Sequence, residues 1–596
     1  MNTVGYIVGE VKTDEFTFVT NREIAPPRLE YIVVQVQEPT RKIDVLAQVT
    51  SLSVSSRLLD SSLGYAEVES ILNRLKSSPP IVQGTAKVLG FMDGASVRFP
   101  RHAATPGTAV APAPDDLLRN FFSEVNSGVE IGTLINRDSV PVLLNPNGLR
   151  RHLAVIAQTG AGKSYTVGVI LEKLLQLGGT VVVFDPNSDY VLMRRGENKR
   201  ATPFADRVQV YRLPTSQAGR ITDEEIGGSK RFEMKFSALD ADEICAMTGI
   251  SETSTNIRKA IQTVWENLRG TDYTVKTFLK ELESLSEIMN GAGAPGMRRG
   301  PRSLNSSIGD GQAVSDHIAR VRAEKIGKPD DWFDKEVPPA EEIEAERPAK
   351  PNNAKPPSMD AIFGAQKALK YVERLDKVDV WGFEDVPMED LLRPMTLSVL
   401  DLAGVDQWIA EFVVDKVLRE TWRLAVNEGL KRPVFFVLEE AHNFVPGGTG
   451  AQSQAAAIIK RIASEGRKFQ MFLVLITQRP YKVHGDTLSQ CNSQIIMRLT
   501  NPQDQQAIRQ SSESISEGLL ADLPGLNVGE AVILGPLVRV PVMVKVGHRE
   551  SREGGNDIDV IAALERARSE MVTDARENKS KEERKARGRS EWKEAV

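Results

Sequence analysis

The sequence lacks almost everything that would place it outside a cell or in a membrane. Only two cysteines occur in 596 residues, Cys245 and Cys491. Their wide separation excludes a disulfide framework and a cysteine-based zinc site. The longest unbroken apolar run is six residues, 471–476, against the ~20 that a membrane-spanning helix needs. The opening stretch MNTVGYIVGEVKTDE has no basic start and no apolar segment, so it does not read as a secretory signal. The histidines, at 102, 152, 317, 442, 484 and 548, show no metal-ligand spacing. An excess of one charge is missing too. Lys and Arg total 75 against 80 Asp and Glu, a net charge of -5, so contact with nucleic acid would need a local basic surface. Together these absences predict a cytoplasmic protein with no membrane partner.

What is there reads as globular, with 41% apolar and 26% charged residues. The length suggests three to five domains, at ~100–200 residues each. Residues 1–110 read as a small β-barrel, from short apolar or alternating stretches at 4–9, 16–20, 31–37 and 81–89 separated by Gly, Pro and Asn. The Pro- and Ala-rich segment 105–114 reads as a linker or an extended crossover. From Arg151 the pattern becomes strand, Gly-rich turn, helix (164–176) and strand (180–184), the βαβ unit of a parallel sheet. Further buried strands are expected at 397–402, 434–438, 472–477 and 494–499. Helical periodicity covers 252–268, 275–289 and 359–378. The fold class is therefore α/β, with the core in two parts, 120–285 and 395–548. An insertion, 286–394, separates them, and a charged helical tail, 549–596, follows. Residues 289–358 carry nine Pro and seven Gly and read mostly as a flexible linker. The tail from 576 onward has eight basic and five acidic residues. It is either a solvated helix end or a brace onto a neighbouring subunit or DNA.

Between the first core strand and its helix stands Ala157-Gln158-Thr159-Gly160-Ala161-Gly162-Lys163-Ser164. It matches G-x-x-x-x-G-K-[ST] except that Ala157 replaces the first Gly. Small residues let backbone N–H groups turn inward around phosphate oxygens. The helix N-terminus adds partial positive charge, and Lys163 reaches the β- and γ-phosphates. The nucleotide-binding set is Gly160, Ala161, Gly162, Lys163, Ser164 and Tyr165, with ATP as the ligand. Ser164 is the expected Mg²⁺ ligand.

The apolar strand 434–438 ends in Glu439 and Glu440. Glu439 is assigned to the water shell of the metal, and Glu440 to orienting and deprotonating the attacking water. Asp185 ends the strand 180–184 and points toward the crevice at the strand ends. It either positions the metal's water or an arginine, or it builds a turn, since Pro186 follows.

Taken together, RHLAVIAQTGAGKS (151–164), VVVFDPNSDY (181–190), VFFVLEEAHNFVP (434–446), IASEGRKF (462–469), LITQRP (475–480) and LSQCNSQIIMRLTNPQDQ (488–505) resemble the HerA family. These are hexameric DNA translocases, related to FtsK among RecA-like P-loop ATPases. The resemblance covers roughly 1–285 and 395–548. It implies a RecA-like core behind a barrel shared with rotary ATP synthase subunits. It implies that Arg467 is an arginine finger entering the neighbouring subunit's ATP site, and that Arg151 also reaches a nucleotide in the ring. Thr477 and Gln478 would sense the γ-phosphate and relay its state to the DNA loops. Arg467 has a physical case of its own. It follows a helix and a Gly and precedes a buried strand, so it is held on a rigid edge, where a guanidinium can be worth ~10³–10⁵ in rate. A surface salt bridge is the alternative, and Arg461 and Lys468 are competing residues.

The resemblance implies an ATP-hydrolysing homohexamer that translocates double-stranded DNA. Its partner would be a NurA-like nuclease, or a sirtuin-like or nuclease effector of antiviral defence. Arg194, Arg195, Lys199 and Arg200 are candidates for the pore or a solvated turn, and the Gly-rich loop 446–454 is another pore candidate. The alternative is an ATP-dependent ring scaffold that activates an effector with little translocation. A secretion motor of the same superfamily would usually bring a membrane anchor.

Overall fold

The computed structural model describes residues 2–568 apart from 57, 60, 75–79, 124–127, 214–220, 292–356, 379, 449–452, 514, 556–559 and 563. Nearly all of the Pro- and Gly-rich stretch, and the basic tail from 576, lie outside the described residues.

Seven strands build the N-terminal unit: β1 (Gly5–Val8), β2 (Glu15–Thr20), β3 (Tyr31–Gln37), β4 (Lys42–Ser55), β5 (Ile81–Asp93), β6 (Ser96–Arg98) and β7 (Ala109–Pro112). Their order is β2-β1-β7-β3-β4-β5-β6, and β2 also pairs with β5, which closes six strands into a barrel. Alternate residues point inward, among them Ile7, Phe18, Ile32, Val34, Val45, Val88 and Val110. Two features depart from the sequence reading. The 14-residue β4 is a strand beyond those expected. The segment read as a linker or crossover contributes β7, which sits between β1 and β3. Pro112 takes the last position of that strand, where a missing N–H disturbs the ladder least.

The second sheet has twelve strands: β8 (Val129–Leu134), β9 (Arg137–Leu144), β10 (Leu153–Ile156), β11 (Thr180–Asp185), β12 (Val208–Arg212), β13 (Lys230–Arg231), β14 (Leu397–Asp401), β15 (Val434–Leu438), β16 (Met471–Thr477), β17 (Ser493–Met497), β18 (Glu530–Leu534) and β19 (Val542–Val546). The order is β13-β12-β14-β11-β15-β16-β10-β17-β18-β19-β8-β9. From β13 to β17 every pairing is parallel; from β17 onward every pairing is antiparallel. The antiparallel wing was not read from sequence. The α/β core behind a small barrel is as expected.

The central strands of the parallel part, β10, β11, β15 and β16, are apolar on both faces because helices cover both. Ala154 and Ile156 of β10 pack into one core, Leu153 and Val155 into the other. The helix Lys163–Gln176 lies on the second face. On the first face, helices Thr255–Leu268 and Met359–Asp376 pack together beside Gln407–Asn427. Met359–Asp376, inside the segment read as an insertion, thus belongs to the core. The barrel docks through Tyr31, whose ring meets Phe122 edge-on at 5.2 Å, and through Glu30, which accepts a 2.8 Å hydrogen bond from Arg137.

Candidate nucleotide-binding site

Strand order decides what meets at the C-terminal edge of the parallel sheet. β16 lies between β10 and β15. The phosphate loop after β10 and the acid pair after β15 therefore flank the residues that follow β16. In the loop, Gly160 and Gly162 have φ of +75° and +94°, a region that favours glycine. Gly162 caps the helix that starts at Lys163. Neighbouring strands hold the loop: Gln158 N donates to Arg498 O at 3.1 Å, and Gly529 N donates to Ala161 O at 3.1 Å.

Lys163 is only 7% exposed. Its Nζ lies 2.6 Å from Glu439 Oε1 and 2.9 Å from Glu440 Oε1. Burial alone would lower the lysine pKa, but Glu439 and then Glu440 outweigh it and hold the ammonium charged. Burial lifts Glu439 to about 7 against the pull of Lys163. The close contact with a charged lysine argues that this pair is ionised. Glu440 has φ +49°, rare for a residue with a side chain, and such strain clusters at functional sites. Gln478 Nε2 donates to Glu440 Oε1 at 2.7 Å, and Thr159 Oγ1 donates to Gln478 Oε1 at 2.5 Å. A continuous line, Thr159–Gln478–Glu440–Lys163, thus joins loop, β16 and β15. The sequence reading had Gln478, Glu440 and Lys163 but not Thr159. On the other side, His442 Nδ1 is 3.3 Å from both Glu440 Oε2 and Thr477 Oγ1.

Asp185 is fully buried, and its carboxylate accepts backbone N–H groups of Asn187 (3.3 Å), Asp189 (3.0 Å) and Tyr190 (2.8 Å). Burial, with Asp189 and Asp401 nearby, raises its pKa. Of the two readings for Asp185, the geometry is that of the turn builder. The carboxylate beside Ser164 is Asp189, whose Oδ2 accepts the serine Oγ–H at 2.8 Å. Tyr190 O–H donates to Glu439 Oε2 at 3.4 Å. Sequence reasoning missed both residues, although a second acid four positions after Asp185 is the visible signal. Tyr165 holds its hydroxyl against the backbone N–H of Arg549 at 2.8 Å.

Arg151 and Arg467 are exposed and lie elsewhere. Arg151 precedes β10 and Arg467 precedes β16, so both sit at the N-terminal edge of the sheet. The chain's own phosphate loop leaves the opposite edge, a strand length away, roughly 13 Å by the usual rise per residue. His152 ties the two arginine segments together. Its Nε2 donates to Ala463 O at 3.0 Å, and its Nδ1 accepts from Leu473 N at 2.9 Å. Burial, with Arg467 close by, lowers its pKa to about 4. Arg461 is occupied, stacked 4.7 Å over Trp422 and 3.9 Å from Glu465.

Among the pore candidates, Arg194 is committed to the carbonyls of Ala205, Gly227 and Gly228, and Arg195 is half-buried against Gly227. Lys199 and Arg200 are exposed. The described ends of loop 446–454 are pinned: Gly447 N donates to Lys482 O at 2.6 Å, and Gln454 N to Glu411 at 3.2 Å.

Comparison with known proteins adds sequence relatives over nearly the whole chain. The family described as the central domain of helicase HerA matches residues 129–421. A probable helicase of Methanocaldococcus jannaschii is 28% identical over 576 residues, covering 94% of each chain. A DNA double-strand break repair helicase HerA of Pyrococcus furiosus is also 28% identical, covering 96% of this chain and 98% of its own. A solved structure, VirB4 of Thermoanaerobacter pseudethanolicus, covers 71% of this chain and 98% of its own at 14% identity, with a TM-score of 0.43.

Proposed function

The chain belongs to the HerA helicase family and hydrolyses ATP; from that premise we propose that it is a homohexameric translocase of double-stranded DNA. It would work with a NurA-like nuclease, or with a sirtuin-like or nuclease defence effector. One observation carries the reading: the site is divided between two edges of one sheet. Lys163, Glu440 and Gln478 gather at the C-terminal edge, while Arg467 and Arg151 stand exposed at the other. An arginine finger so placed serves only a neighbouring copy, and a closed ring gives every site such a neighbour.

The residues present fit ATP with Mg²⁺. Ser164 and Glu439 are hard oxygen donors of the kind Mg²⁺ takes beside phosphate. Mg²⁺ bound there would neutralise charge on the phosphate oxygens. Lys163 can exchange its carboxylate partners for phosphate. Glu440 Oε2 is buried, 3.3 Å from His442 Nδ1, and accepts no hydrogen bond from the described residues, so its lone pairs would be free to take a proton from a water admitted with the nucleotide. Gln478 holds the other oxygen of that carboxylate and fixes where the base points. Arg467 of one subunit would neutralise transition-state charge in the next. Among the described residues no helix is long and apolar enough to cross a membrane.

The test is ATP turnover with and without duplex DNA, together with the particle mass. Six chains and turnover stimulated by duplex are expected. An intact ring whose turnover ignores DNA, and which moves along none, would favour the scaffold that activates an effector.

A further inference from the structure

We propose that Asp189 is a positioning residue for the metal side of this site, acting through the hydroxyl of Ser164. The proposal rests on the phosphate-loop reading above and deepens it.

The turn after β11 is built to deliver this carboxylate. Asp185 gathers the N–H groups of Asn187, Asp189 and Tyr190 and folds the chain back on itself. Ser188 takes a left-handed φ of +60° and donates its Oγ–H to Asp401 Oδ1 at 2.7 Å. Asp401 is itself held by Arg212 Nε at 3.0 Å. Asp189 therefore leaves a rigid turn, 7% exposed, with Oδ2 on Ser164 Oγ. Its other side is closed by a segment from the far end of the chain. Gly554 N donates to Asp189 O at 3.1 Å, and a Cβ on Gly555 would overlap Asp189 Oδ1. The carboxylate has no room to swing away.

A hydroxyl has one proton and two lone pairs, and its acceptor decides where they point. With its proton given to Asp189, Ser164 Oγ turns its lone pairs away from Asp189. An anionic acceptor also makes that oxygen a better donor to a cation, the effect that outer-shell carboxylates exert on metal ligands. The next residue repeats the arrangement. Tyr190 is fully buried and donates to Glu439 Oε2. The dipeptide Asp189-Tyr190 thus touches both residues assigned to the metal. Asp189 makes no ion pair among the described residues. Nor do three acidic or imidazole groups converge there closely enough to bind a metal unaided. A role through Ser164 fits both facts.

The experiment is equilibrium binding of a fluorescent ADP analogue to the full chain, titrated with Mg²⁺ and repeated in EDTA. Asp189→Asn should raise the Mg²⁺ concentration for half-saturation at least about tenfold, the lower end of what outer-shell changes cost. Affinity in EDTA should stay at the wild-type value. Asp189→Glu, which keeps the charge, should recover much of the loss. In a Ser164→Ala background Asp189→Asn should add nothing, because the hydroxyl it acts through is gone. An unchanged Mg²⁺ midpoint in Asp189→Asn overturns the proposal. Equal loss with and without Mg²⁺ overturns it too, since that marks general damage to the loop, and so does full additivity with Ser164→Ala. A wild-type chain that binds no ADP at any Mg²⁺ concentration brings down the phosphate-loop reading, and this one with it.

Discussion

The two edges of the parallel sheet are built on opposite terms. At the C-terminal edge, charged and polar side chains, buried or partly buried apart from the exposed Thr159, pair with one another: Lys163 with Glu439 and Glu440, Glu440 with Gln478, Gln478 with Thr159, Ser164 with Asp189. At the N-terminal edge, Arg467 and Arg151 face solvent without ion pairs among the described residues, while His152, bonded to Ala463 and Leu473, is buried and neutral. A buried charge must find partners within its own chain. An exposed, rigidly mounted guanidinium need not, and can be completed by another subunit. The first edge pairs within its own chain; the second is left open, as the proposed ring requires.

The strongest way to break this comparison is to remove the exposed arginine. Arg467→Ala should lower ATP turnover by ~10³–10⁵ while leaving ADP binding intact. Lys163→Ala should abolish turnover and, because it strips the buried Glu439 and the partly buried Glu440 of their counter-charge, should also lower stability, by up to roughly 3–5 kcal/mol, read as a drop in melting temperature. Mixed rings of the two mutants should regain part of the activity, because some interfaces then hold both residues. Mixed hexamers verified by mass that recover nothing would remove Arg467 from the trans role.

Within the buried edge, Glu440→Gln should lower hydrolysis by ~10²–10⁴ and still bind ATP. The amide keeps its bond with Gln478 but cannot accept a proton. Near-normal turnover in single-cycle assays would move the base to Glu439.

A smaller effect separates the edges by pH. The His152 value of about 4 in the folded chain lies below the ordinary ~6.5. Between those values the unfolded chain binds a proton that the folded chain refuses. Stability from this group is therefore complete above ~6.5 and is lost as pH falls toward 4, by roughly 3 kcal/mol at most. Urea midpoints at pH 7.5 and 5 should show this decline in the wild type and a flatter one in His152→Gln.

The smallest effect sharpens the choice among the arginines. Arg461→Ala should cost only ~0.5–1 kcal/mol for its contact with Trp422, read as a small drop in melting temperature, with turnover unchanged. A collapse of turnover would mean that the finger has been assigned to the wrong arginine.

Much of this was legible in the sequence. The phosphate loop is contiguous, and its chemistry needs only a strand, small residues and a helix start, all local properties. The acid pair at 439 and 440 is visible for the same reason, as an apolar run that ends in carboxylates. The parallel strands announced themselves as buried runs, whereas β18 and β19 did not stand out beside the turns around them. β4 alternates only at its start and end, around a run of five buried residues. Asp185 has two roles open to it in the sequence, because sequence cannot say whether a carboxylate meets its own backbone or a ligand. Backbone N–H groups two, four and five residues on take it, and the task at Ser164 falls to Asp189.

What the sequence by itself determined is therefore the set of local devices: the loop with its lysine, the acids at a strand end, the α/β class and the barrel. What only the tertiary structure decided is which of them meet. Placing β16 between β10 and β15 puts Gln478 against both Thr159 and Glu440, residues hundreds of positions or dozens of positions away in the chain. Folding the turn after β11 sends Asp189 rather than Asp185 to Ser164. The same sheet puts Arg467 and Arg151 at the edge their own loop does not reach. Strand order and turn geometry are settled by packing both faces of one sheet at once, and no local pattern of residues encodes that choice.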